Sequence, residues 1–300
     1  MVVLVDHAAE HFPPLNGQVR LCVGLVVIGW SLLAGLVRPV PVVMPGVYQA
    51  NESKAAVRAF ERSFEGDGPG PAALAGVLLG IVQRETGHDI EALTAYDSVV
   101  DRFGDADQLA VCQQVARALV NKGLMLHELG KHLDAIATCD QVIQRFADAS
   151  EPGLRAAVGM ALWNKGLALD SLDRRVEAAA AYDQIVQQLG GEADDELREL
   201  VARALVNKAG TLSALGERDE ALLVYDQVVE RFGGAADPAL RRQVAMALRN
   251  LGVDLHELER STDAVASYAE VVERCRGRPR VALAGGLSAG EQGRSPAHAG

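Results

Sequence analysis

An all-α chain of stacked helix-turn-helix repeats is predicted by three features of the sequence. These are an internal period of 43 residues, apolar positions at helical spacing within each period, and a composition poor in rings. Of the 300 residues, 49% are hydrophobic but only 4% are aromatic, so the interior must be built of small aliphatic groups that let helices approach closely. The period is unmistakable. Val115–Lys122 reads VARALVNK, and Val201–Lys208, two steps later, reads the same. Asn121-Lys122-Gly123 returns as Asn164-Lys165-Gly166, as Asn207-Lys208-Ala209 and as Asn250-Leu251-Gly252.

Each step holds two helices. The first carries a stripe such as Leu154, Val158, Ala161, Leu162, Gly166, Leu169 and Leu172, matched by Leu240, Val244, Ala247, Leu248, Gly252, Leu255 and Leu258. Glu151-Pro152 and Asp237-Pro238 mark its start, with proline at the first helical position. Gly130 and Gly216 end it, and Asp173 and Glu259 take that place in other units at some cost in backbone ease. The second helix opens on an acid-alanine pair at Glu91-Ala92, Asp134-Ala135, Glu177-Ala178, Glu220-Ala221 and Asp263-Ala264. Four residues after each alanine stand Tyr96, Cys139, Tyr182, Tyr225 and Tyr268. Then come β-branched pairs, and Phe103, Phe146, Leu189, Phe232 and Cys275 close the segments. These spacings put the whole set on one helical face, whose rings are expected to pack between repeats. A lone helix pair cannot cover both its faces, so neighbouring units must stack.

Asn and Gly in the first helix, Gly at the turn, an acid-alanine opening to the second helix and a ring four residues on together resemble the tetratricopeptide repeat. Gly123, Gly130, Ala135, Tyr182 and Tyr225 carry the likeness, which covers residues 71–275. The family's usual unit is about 34 residues. The additional length here falls in the first half of the first helix, from Pro152 to Ala161 and from Pro238 to Ala247, and the family's large aromatic is replaced by Leu119, Leu162, Leu205 and Leu248. The resemblance implies a right-handed α-α superhelix whose first helices line a concave groove, and a noncatalytic scaffold that takes a peptide segment or partner protein there. The expected contacts are Asn121, Asn164, Asn207 and Asn250, whose amides both donate and accept. To these are added Arg117 and Arg203 as carboxylate forks and Trp163 as an aromatic anchor. A structural reading stands beside this one. The asparagines can lock neighbouring helices, the arginines can be solvated or paired within the chain, and Trp163 can be core.

Other chemistries find little footing. A formal net charge of −11 argues against nucleic acid as a partner. Cys22, Cys112, Cys139 and Cys275 stand far apart without a paired spacing, so no zinc site or disulfide framework is expected and a reducing compartment fits best. His127-Glu128 begins like H-E-x-x-H, but Lys131 occupies the second histidine's place, and His256-Glu257 fails in the same way. No nucleophile, base and orienting acid recur together. No catalytic residue, metal or cofactor is expected.

The ends differ from the middle. Leu21–Val37 is an uncharged run of 17 residues within an N-terminal extension, 1–50. As a helix it would measure about 25 Å, slightly short of a hydrocarbon core. It reads either as a membrane anchor, with Arg38, Lys54 and Arg58 placing the repeats on the cytoplasmic side, or as a segment folded on the first repeat, or as an extension ahead of a natural start at Met44. Residues 51–70 read as a short helix over the apolar Ala72–Val82 stretch followed by a linker through Gly66, Gly68 and Gly70. Residues 276–300 read as a disordered tail. The last repeat leaves an apolar edge with Val271 and Val272, which predicts self-association and supplies the alternative function of a structural assembly module forming a homo-oligomer.

Overall fold

A computed structural model describes residues 50–66, 68–191 and 193–275. The run 21–37 and the tail 276–300 therefore lie outside the described residues. Eleven helices make up the described chain: α1 Ala50–Gly66, α2 Pro69–Glu85, α3 Asp89–Phe103, α4 Leu109–Glu128, α5 His132–Phe146, α6 Pro152–Ser171, α7 Arg175–Leu189, α8 Asp195–Leu215, α9 Arg218–Phe232, α10 Pro238–Glu257 and α11 Ser261–Cys275. No strand occurs among the described residues. From α2 onward the helices pair into five units, each second helix being 15 residues long.

The turns within units repeat one conformation. Gly87, Gly130, Asp173, Gly216 and Glu259, each 43 residues after the last, all have positive φ, between 59° and 85°. Glycine adopts this geometry freely, while Asp173 and Glu259 hold it against Cβ repulsion. Asp194 and Asp237 cap α8 and α10 by accepting from the backbone N–H groups two and three residues on. Proline opens α2, α6 and α10. In α2, Pro69 and Gly70 lie inside the helix, so the expected linker shrinks to the residues around Gly68, because proline is well suited to the first turn.

Small residues set the approach of each pair. A Cβ on Gly80, Gly166 or Gly252 would fall within the ring of Tyr96, Tyr182 or Tyr268 respectively. These tyrosines are the ring positions of the period, and the first two are fully buried. At Gly123 the facing residue is Cys139, whose sulfur would stand 3.0 Å from an added Cβ. One apolar cluster runs from Ala72 to Ala264 through all five units. Each first helix packs on both its own second helix and the preceding one, and first helices also touch along the row. Helix α1 packs on α2 as a preceding second helix would, with Phe64 against Gly76 and edge-on to Phe103 at 6.0 Å.

Three polar ladders follow the same step. Lys122, Lys165 and Lys208 pair with Asp97, Asp140 and Asp183 of the second helix before them, the last two at 2.6 and 2.7 Å. Arg102, Arg231 and Arg274, in the last turns of second helices, donate to the carbonyls of Phe64 near the end of α1, Gly190 after α7 and Gly233 after α9, where the helix dipole is negative. Between first helices, the Thr211 hydroxyl donates to Asp170 at 3.0 Å and the Ser213 hydroxyl donates to Asp254. The carboxylate and hydroxyl have exchanged sides from one junction to the next.

Candidate functional site

At 100° per residue, positions 113, 117, 121, 124 and 128 of α4 share a face opposite Val115, Leu119, Lys122 and Leu126, which meet the second helices. The same positions in α6, α8 and α10 continue this face along the row. It presents Gln113, Arg117, Asn121 and Leu124, then Ala156, Met160, Asn164 and Leu167. Glu199, Arg203, Asn207 and Gly210 follow, and Arg242, Met246, Asn250 and Val253 complete it. The expected contact residues thus fall together on the row of first helices, with Trp163 at its flank.

They are not equivalent. Asn164 has no exposed surface; its Nδ2 donates to the Val120 carbonyl of α4 at 3.1 Å, leaving Oδ1 buried without a partner. Asn207 and Asn250 are half-buried and lie by the hydroxyls of Tyr182 and Tyr225 in the preceding unit, the Tyr182 hydroxyl donating to Asp170 at 3.1 Å. Burial, with Asp254 nearby, pushes the Tyr225 hydroxyl up to about 12. Asn121 is half-buried. Its counterpart hydroxyl, on Tyr96, has no partner among the described residues. The unit before Asn164 also differs: 25 residues earlier stands Cys139 where the other units have tyrosine.

The arginines carry the charge of this face. Arg203 lies over the Trp163 ring, its guanidinium carbon 3.9 Å from the ring centroid, and Trp163 Nε1 is buried without an acceptor. Burial lowers the Arg203 pKa first; Glu199 opposes this and Arg242 adds to it. Burial likewise lowers that of Arg117, whose guanidinium reaches only Gln114 Oε1, at 3.5 Å. Arg249, at the flank position of Trp163, donates to Asn250 Oδ1 at 3.3 Å and is exposed, as is Arg242. None of Arg117, Arg203, Arg242 and Arg249 forms a salt bridge with another described residue. Arg117 and Arg203 are partly desolvated, Arg242 and Arg249 are exposed, and all four stand outside salt bridges on one face of an acidic chain, which suits them to carboxylates. Arg242 and Arg249 were not singled out from the sequence, because no other unit has arginine at their positions.

No group of three or more potential metal ligands gathers among the described residues. His127 and His132 meet across the Gly130 turn, their rings tilted by 52° with centroids 5.1 Å apart. Cys139 is buried, and that burial pushes its thiol up to about 12. Cys112 donates to the Ala106 carbonyl at 3.0 Å. No helix of the described residues is long and apolar enough to cross a membrane.

The tetratricopeptide repeat family model matches residues 91–152 and 206–279. The crystal structure of BtubC (BKLC) from P. vanneervenii is similar at 14% identity with a TM-score of 0.59, over 81% of this chain and 98% of that one. The nearly identical TPR-like repeats of a Podosopora anserina protein assigned as a kinesin light chain are similar at 13% identity with a TM-score of 0.54, over 70% of this chain and 99% of that one. At such identities the likeness concerns the fold alone. No curated protein sequence matches the chain.

Proposed function

As a member of the tetratricopeptide repeat family, whose repeats serve in general as protein-interaction scaffolds, this chain is, we propose, a noncatalytic scaffold that holds an acidic, extended segment of a partner protein along its first helices. The observation that supports this reading is the set of four arginines outside any salt bridge among the described residues, together with the Trp163–Arg203 stack. In the proposed complex, a partner carboxylate accepts from Arg203, which the Trp163 ring backs from beneath. Asn121, Asn207 and Asn250 offer amide groups to the partner's backbone, while Asn164, being enclosed, holds α6 to α4 instead.

The test is a display selection of random peptides on the full chain, followed by titration of the selected peptides against the Arg117→Glu/Arg203→Glu variant. The expected outcome is enrichment of acidic peptides and a loss of affinity of tenfold or more, equivalent to about 1.4 kcal/mol, with melting temperature preserved. Peptides indifferent to the charge reversal would remove this site. A second reading, self-assembly through the terminal repeat, is favoured by one observation: α11 exposes apolar positions that are covered in earlier units.

A further inference from the structure

Resting on that second reading, we infer that the outer face of α11 is the two-fold contact between two copies of the chain, tail to tail. Val265, Tyr268 and Val272 are 66%, 38% and 46% exposed, whereas their counterparts 43 residues earlier, Leu222, Tyr225 and Val229, are 7%, 1% and 8% exposed. What covers those counterparts is the next first helix, α10. The face of α11 is therefore the repeat interface continued past its last described partner, and it retains the chemistry of a buried surface.

The occupant is argued from both ends of the row. Head-to-tail stacking of copies would require the face of α2 that receives a preceding second helix, and α1 already fills it, with Ala56 buried and Phe64 packed against Gly76. An isologous contact of α11 with α11 uses no other surface. The residues suit it. Asp97, Asp140, Asp183 and Asp226 hold one position in the four earlier second helices, three of them facing a lysine of the next unit, and in α11 that position is Ala269. A covering surface therefore need supply no lysine. Ala269, exposed, lies on the same face between Val265 and Val272, and its small side chain permits close helix approach at the axis. Glu270, the one charged residue between Ala264 and Val272, is ion-paired to Arg274 at 2.6 Å.

Light scattering of the full chain at micromolar concentration is expected to give the mass of two chains. Ala269→Glu and Ala269→Lys should each give one chain, with a dimerisation constant weakened tenfold or more, because the axis sets like charges opposite each other. Mixing the two variants should restore the two-chain mass, since residue 269 then meets an opposite charge. A wild-type dimer whose variants are not rescued by mixing would overturn the two-fold contact and leave self-assembly standing. A wild-type monomer, which is also the result expected if residues 276–300 or another protein cover α11, would overturn both.

Discussion

Gly166 and Gly123 hold the same place in successive units and face different neighbours, a full tyrosine ring in one and the Cys139 sulfur in the other. Gly166→Ala is expected to destabilise the fold by about 1–3 kcal/mol through overpacking. Gly123→Ala should cost less, because a sulfur can yield by a few tenths of an ångström and alanine favours the helix by about 1 kcal/mol. Thermal melts of the two variants check this, and equal losses would contradict it. A second residue-level expectation concerns His127. Its pKa lies below the ordinary histidine value, chiefly because burial disfavours the charged ring and secondarily because His132 repels it, with Glu128 opposing. The folded chain therefore binds fewer protons than the unfolded chain below about pH 6.5, so stability falls as pH drops through that range. His127→Gln should flatten this part of a melting-temperature profile taken between neutral and mildly acidic pH. An unchanged profile would contradict the assignment.

Among the elements, the lysine–aspartate ladder breaks at one rung. Asp226 continues the series of Asp97, Asp140 and Asp183, but Leu251 stands where lysine is due. Burial raises the Asp226 carboxyl above its ordinary value, Glu230 and Glu270 raise it further, and Arg260 opposes them. The sign is the reverse of a salt-bridged carboxylate. A raised folded-state pKa means that stability declines as pH rises through that pKa, and the penalty is complete at neutrality. Asp226→Asn is thus expected to hold or raise the melting temperature at neutral pH. Asp183→Asn, which removes a partner 2.7 Å from Lys208, should lower the unfolding free energy by up to about 1 kcal/mol. Chemical denaturation of both variants distinguishes them, and a loss at Asp226 would contradict the account. The 43-residue step, the paired helices and the turn positions were legible because glycine, proline and the ring positions have local causes. The ladders were also legible in principle: their lysines and aspartates recur at the same step, but neither type reveals its partner, 25 residues away, until the helices are stacked. The burial of Asn164 was not legible from its own motif, which matches Asn121 and Asn207. It accompanies a tyrosine-to-cysteine change in the preceding second helix.

At the scale of the molecule, stacking turns a local pattern into a division of labour. Second helices supply tyrosines, aspartates and terminal arginines to hold units together, so the first helices keep one face on which arginine and tryptophan need not serve packing alone. Arg117 and Arg203 were legible as candidates from the repeated VARALVNK segment. Arg242 and Arg249 became visible only when α10 was aligned in space with its neighbours. The most direct measurement of the central claim is hydrogen exchange of the full chain with and without a peptide selected on it. Protection confined to α4, α6, α8 and α10, strongest near Arg117 and Arg203, is the result expected of a partner laid along the first helices. Protection confined to the second helices or to the turns, with the first helices unchanged, would contradict it.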